Sequence, residues 1–216
     1  MQIPSNVVID DSEQGSEAWH EARLEIFTAS RAGDLMKKQK NGKPYATRGN
    51  YITEIALERL THELPESFTS ADMQEGIERE RTAALAYSFA TGNETEQTGL
   101  WIKGYYGASP DDLIVGQQGG VEYKNPRAGT HKDTLESQTI PEHYYWQVLQ
   151  NILVTGADFW DYVSYHPAFP PNAQLFVKSI QRINVLDDLH ELENELAQAN
   201  AEADQVVAFI ESYRGA

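Results

Sequence analysis

Ser109-Pro110-Asp111 and Glu122-Tyr123-Lys124 stand ten residues apart, and the segment between them dictates how the two triplets meet. Leu113-Ile114-Val115, then Gly116-Gln117-Gln118-Gly119-Gly120, then Val121 read as strand, tight turn and strand. Such a hairpin sets Asp111 alongside Glu122. Side chains alternate along a strand, so Glu122 and Lys124 project from one face while Val121 and Tyr123 take the other. Two carboxylates and an ammonium converge.

Hard divalent cations such as Mg²⁺ prefer oxygen donors, and octahedral coordination leaves room for water and a phosphate oxygen beside a few protein ligands. Asp111 and Glu122 supply carboxylates, and the backbone carbonyl of Tyr123 adds an uncharged oxygen between two functional side chains. Lys124, a compact point charge, suits an attacking water and the negative charge that develops on phosphate. This is a residue set for phosphodiester cleavage. A surface hairpin with ordinary charges would show the same letters, so other segments must decide.

A chain of 216 residues, 40% of them hydrophobic, can bury a sizeable core as one domain, residues 1–216. The absence of cysteine excludes disulfides and thiolate zinc sites, and the six histidines show no paired spacing on a helix face. Zinc hydrolase chemistry is not expected. Met1 to Trp19 is polar and acidic, and no apolar stretch reaches membrane-spanning length. The expectation is a soluble protein of a bacterial or phage-host cytoplasm.

The net charge of −16 opposes DNA binding in sum, because Lys and Arg contacts to phosphate usually dominate such affinity. Its distribution is uneven. Asp187 to Glu211 holds eight acids and no Lys or Arg, about half of the net charge. Lys37 to Arg48 holds Lys37, Lys38, Lys40, Lys43 and Arg48 without an acid. Asn41-Gly42 and Pro44 mark this basic stretch as a loop, either a flexible cationic element beside the carboxylate site or ordinary solvated surface. An acidic outer surface would confine DNA to a cationic channel or dock a basic partner.

Ser16 caps a short helix running to Leu24. Thr28-Ala29-Ser30 opens another, whose free N–H groups and partial positive charge offer a phosphate site with Arg23 just upstream. Capping is the simpler role for Thr28 and Ser30. A helix over Asn50 to Leu60 buries Ile52, Ile55, Ala56, Leu57 and Leu60. One over Met73 to Ala90 buries Ala83, Ala84, Ala86, Tyr87 and Phe89, and Gly76 and Glu80 share a face near its start. Glu75, Glu78 and Glu80 there would ordinarily serve the helix dipole.

Strands are expected at Thr98 to Lys103, Tyr105 to Ala108, along the hairpin, at Phe159 to Tyr165 and at Leu175 to Ile183. Pro141 starts a helix carrying Tyr144, Gln147 and Asn151 that stops at Gly156. A closing helix from Asp187 to about Tyr213 buries Leu189, Leu192, Leu196, Val206, Val207, Phe209 and Ile210. The order gives an α/β fold, a central mixed β-sheet flanked by helices.

Five segments together resemble the lambda-exonuclease family, the YqaJ-like viral recombinases of the PD-(D/E)xK nuclease superfamily. They are Ala18-Trp19-His20-x-x-Arg23-Leu24, Thr28-Ala29-Ser30, Gly76-x-x-x-Glu80, Ser109-Pro110-Asp111 with Glu122-x-Lys124, and Tyr144-x-x-Gln147-Val148, in the family's order. The resemblance implies a restriction-endonuclease-like core and a Mg²⁺-dependent 5′-to-3′ exonuclease. Such an enzyme digests one strand of duplex DNA, releases 5′-mononucleotides and leaves 3′ overhangs for a single-strand annealing protein in phage recombination. Asp111, Glu122, the Tyr123 carbonyl and Glu80 would bind two Mg²⁺, for which Mn²⁺ could substitute.

By the same likeness Lys124 would activate the water, and Gln147 would position Lys124 or the scissile phosphate. Arg23, Ser30 and Ser109 would form the pocket for the 5′ phosphate, and Thr28, Trp19 and Tyr144 would help bind that phosphate or the DNA. A toroidal homotrimer around the duplex is implied too. Asp112 departs from the glycine that often follows Ser-Pro-Asp, and Leu149 from a frequent second glutamine; both bear on loop geometry more than on activity. The rival readings are a PD-(D/E)xK endonuclease, restriction or junction-resolving, and an idle DNA-binding scaffold that recruits the annealing protein.

Overall fold

The computed structural model describes residues 1–63 and 71–213, and for residues 71–78 the backbone alone. Strand β1 (Val8–Asp10) leads to helix α1 (Glu17–Ala22), strand β2 (Phe27–Thr28), a 3₁₀ turn over Ala29–Arg31 and helix α2 (Ala32–Met36). Helices α3 (Ala46–Thr61) and α4 (Ala71–Thr91) precede strands β3 (Thr95–Glu96), β4 (Leu100–Lys103), β5 (Tyr106–Ala108), β6 (Asp112–Ile114) and β7 (Gly119–Lys124). Then come helices α5 (Ala128–Ser137) and α6 (Glu142–Thr155), strands β8 (Phe159–Tyr165) and β9 (Leu175–Gln181), and helix α7 (Leu186–Ser212).

The α/β class with helices flanking mixed sheets is as expected, but the strands divide between two sheets, β1-β4-β5-β2 and β3-β6-β7-β8-β9. In the larger sheet β7 is central, antiparallel to β6 and parallel to β8. Gly119 and Gly120 belong to β7 rather than to the turn. A Cβ on either would stand 2.4 Å from a ring carbon, of Phe159 at the first and Trp160 at the second, their partners in register. Only glycine lets those rings cross the strand so closely. The turn keeps Gly116, at φ +74°.

Alternation then sorts the strand. Val121 and Tyr123 pack with Ala83 and Tyr87 of α4 and with Val163 and Tyr165 of β8. Glu122 faces α6 instead. That helix starts after Pro141, ends at a left-handed Gly156 and is buried continuously from Gln147 to Thr155, as an enclosed helix should be. Its Gln150 Nε2 donates to the carbonyls of Phe27 (2.8 Å) and Gly107 (2.9 Å) in the smaller sheet. Gln147 and Asn151 reach β7 in the larger one, so a single helix fixes how the two sheets stand to each other.

Several expected details are corrected. Helix α5 was not foreseen, because Gly129 and few apolar residues blur its period; buried His131, bonded to Ser164 Oγ and the Ala173 carbonyl at 2.8 Å each, ties it down. Helix α3 begins at Ala46, inside the basic stretch, and Leu57 is exposed. Phe89 is 94% exposed, since the α4 face that meets the sheet follows Ala83 and Tyr87, and a residue two positions on points away. In α7 the buried run is Leu189, Leu192, Leu196, Ala199 and Ala203, which leaves Val206 and Val207 half-buried and Phe209 and Ile210 exposed. Of Glu75, Glu78 and Gly76 of the expected motif, only the helical backbone within α4 is described.

The acidic helix and the basic stretch find each other. Arg48 donates to Glu195 at 2.5 Å and, with two nitrogens, to both oxygens of Glu202 at 2.6 and 3.0 Å. Arg59 bonds Asp204 and Asn200, and Lys38 bonds Glu191. Within the loop Lys38 bridges Pro44, and the Gln39 N–H donates to the Lys43 carbonyl. Arg48→Ala is expected to lower unfolding free energy by about 2–3 kcal/mol, below the 3–5 of a fully buried pair because Glu202 is partly exposed. Urea denaturation measures it; an unchanged midpoint would show the pair to be neutral. No helix among the described residues is long and apolar enough to cross a membrane.

Candidate active site

The hairpin delivers Glu122 into the protein with no exposed surface. Three donors hold its carboxylate. Lys124 Nζ and Gln147 Nε2 both reach Oε1 at 2.6 Å, and Asn151 Nδ2 reaches Oε2 at 2.8 Å. Across the hairpin, Asp111 Oδ2 accepts the Tyr123 backbone N–H at 2.7 Å, which pins it beside Glu122. Glu80 of α4 lines the same cleft as Asp111, a cavity of about 660 Å³.

These groups act electrostatically as one. Burial pushes the Asp111 carboxyl well above the usual carboxylate range; Glu122 and Glu80 push the same way, and Lys124 opposes them. Burial also raises Glu80, with Glu122 and Asp112 adding to the effect and Lys124 opposing. Burial disfavours the Lys124 ammonium, yet the charges of Glu122 and Asp111 outweigh it and raise its pKa. Three acids around one ammonium leave a surplus of negative charge presented wholly on oxygen, which suits a hard divalent cation. Among the described residues no three acidic or histidine side chains are yet placed to share one metal ion. Their oxygens are partly spent on Lys124, Gln147, Asn151 and the Tyr123 N–H.

A second constellation lies where α1, β2 and the 3₁₀ turn meet. Arg23 Nη1 donates to Ser109 Oγ at 3.0 Å and Nη2 to Ser30 Oγ at 3.4 Å, while its guanidinium sits 4.1 Å from the centre of the Trp19 ring. Thr28 Oγ1 is 3.4 Å from Ser30 Oγ. Arg23, Thr28, Arg31, Tyr51 and Glu58 line a cavity of about 150 Å³ here. Arg31 is ion-paired with Asp34 and Glu54. Arg23 bonds only neutral hydroxyls among the described residues, and burial lowers its pKa, partly offset by Tyr51 and Glu58. A half-buried cation without a bonded carboxylate is a ready receptor for an anion.

The expected helix-start contribution is corrected: the 3₁₀ turn and α2 are too short for much dipole, and Thr28 makes no side-chain cap bond. Tyr144 stands at the carboxylate site, with its ring 5.3 Å from Lys124 Nζ and stacked on Tyr162. The Trp19, Thr28, Ser30 and Ser109 side chains do gather around Arg23.

A model of the YqaJ-like viral recombinase domain matches residues 18–158. The chain belongs to that family. An alkaline exonuclease from Laribacter hongkongensis is 32% identical, with 91% of this chain and 96% of that one covered at a TM-score of 0.78. Its structure in complex with dAMP gives 33% identity over the same shares and a TM-score of 0.79. A phage-related exonuclease from Haemophilus somnus shares the fold at 15% identity and a TM-score of 0.69, over 88% of this chain and 99% of that one. No curated protein matches the chain. Fold and family make this YqaJ-like chain a nuclease of the viral recombinase type.

Within this YqaJ-like site several contributors escaped the sequence reading. Asn151 is four residues after Gln147 and so on the same helical face; that phase was the available signal. Tyr51 accepts the Thr28 N–H at 2.8 Å and carries Arg31 at 3.8 Å from its ring centre, contacts between separate elements that no local pattern announces. Asp112 accepts Thr95 Oγ1 at 2.8 Å and the Tyr123 hydroxyl at 3.0 Å. The departure at Asp112 therefore touches a proposed ligand residue through its side chain. The second glutamine, one place late at Gln150, clamps backbone rather than the site.

Proposed function

We propose that the chain is a Mg²⁺-dependent 5′-to-3′ exonuclease on double-stranded DNA, releasing 5′-mononucleotides and leaving 3′ overhangs. One observation carries the reading: Ser109 belongs to the Arg23 pocket and Asp111 to the carboxylate site, with only Pro110 between them. Two residues of extended chain span at most about 7 Å. A terminal phosphate on Arg23 thereby sits a short, fixed reach from the cutting centre, and an enzyme that measures from an end in this way trims single nucleotides. The dAMP held by the Laribacter relative agrees with a mononucleotide product.

Asp111, Glu122, Glu80 and the Tyr123 carbonyl would hold two divalent cations, Mg²⁺ or in its place Mn²⁺. When bound, these lower the pKa of an attacking water and neutralise charge on the leaving 3′ oxygen. The chain's own groups do the rest. Lys124, bonded to Glu122, donates to the phosphate oxygens as their charge develops and orients the attacking water. Gln147 keeps Glu122 turned toward Lys124. Arg23, Ser30 and Ser109 fix the 5′ phosphate, and the stacked Trp19 keeps the guanidinium aimed.

The 3′ overhang would pass to a single-strand annealing protein, and a homotrimeric ring follows from the resemblance alone. Linear duplex and covalently closed circular DNA separate this reading from an endonuclease. Mg²⁺ should degrade the linear form and leave the circle intact; nicking of the circle would establish the endonuclease instead.

A further inference from the structure

The second oxygen of Glu122 has a partner that the mechanism above does not use. An ionised carboxylate offers about four lone-pair positions, two on each oxygen. Lys124 and Gln147 take both positions of Oε1, and Asn151 takes one of Oε2. Because the carboxylate only accepts, the amide of Asn151 must present its NH₂ to Glu122. Its own Oδ1 is then turned into the interior, where it has no hydrogen-bond partner.

A buried acceptor without a partner costs stability, and an apolar side chain of similar size would avoid that cost. Asn151 sits among fully buried residues of α6, so solvent offers no relief. The bond to Glu122 is what the side chain gains in exchange.

We infer that Asn151 is a positioning residue that orients Glu122 so that a single lone pair, on Oε2, is left for a divalent cation. The assignment rests on the nuclease reading. Gln147 and Asn151, one helical turn apart, grip the two oxygens separately and prevent the carboxylate from rotating. Without Asn151 the group pivots about its Oε1 bonds, and Oε2 no longer keeps one direction.

Asn151→Leu keeps the branched shape and removes the donor; Asn151→Ala removes it where the bulkier leucine prevents folding. Calorimetric titration of the DNA-free protein with Mn²⁺ should show affinity reduced roughly 10- to 100-fold, as for other residues that orient metal ligands. Without metal the folded variant should melt close to wild type, because the orphaned Oδ1 is lost together with one of the three donors to Glu122, and at saturating Mn²⁺ kcat on linear duplex should fall while KM changes less than twofold. Mn²⁺ affinity within twofold of wild type in a folded variant would overturn the assignment and leave the nuclease reading standing. A wild-type protein that binds no Mn²⁺ would overturn both.

Discussion

Lys124→Ala is expected to reduce nucleotide release from linear duplex roughly 10²- to 10³-fold, the cost of removing one preorganised donor from a transition state that gathers negative charge. The structure gives reason to expect the upper end. Lys124 is the ammonium that lowers both Asp111 and Glu80 against the burial that raises them, and it bonds Glu122 directly. Its loss removes a donor to the phosphate and the ammonium that bonds Glu122. Divalent cations should still bind, since they supply the missing positive charge. Turnover near wild type, measured at saturating Mg²⁺, would remove Lys124 from the chemistry.

Arg23→Gln should erase the preference for 5′-phosphorylated ends. Charge-assisted bonds contribute about 1.5–3 kcal/mol each, so wild type is expected to favour a 5′ phosphate over a 5′ hydroxyl by roughly 10- to 150-fold. The glutamine variant should bring that ratio close to one, mostly by slowing the phosphorylated substrate. Stability should move the other way. Because Arg23 is half-buried without a bonded carboxylate and burial disfavours its charge, removing that charge is expected to leave the melting temperature unchanged or raise it slightly. A variant that keeps its end preference would place the 5′ phosphate elsewhere.

Much of the central hairpin was legible because its signals are local. A positive-φ glycine at the turn, alternation along β7 and the Pro141 and Gly156 limits of α6 each depend on a few neighbouring residues. The same locality explains the errors. Gly119 and Gly120 read as turn residues, yet their reason for being glycine is the rings of Phe159 and Trp160 from a strand far along the chain. The basic stretch read as either a cationic element near the site or solvated surface, and neither reading foresaw that Arg48 and Lys38 turn to the acids of α7. Charge patterns show which residues want partners but not whether those lie within the fold. Asn151 and Gln150 hid for a related reason: on a helix buried on all sides, polar residues stand out only once the neighbouring sheets are in place.

The order in which labels leave a linear duplex tests the account most directly. With 5′-phosphorylated DNA labelled at either the 5′ or the 3′ terminus, Mg²⁺ should release the 5′ label at once as a mononucleotide while the 3′ label stays on a long strand, and chelation should stop both. Early release of the 3′ label, release of oligonucleotides, or undiminished release in chelator would contradict it.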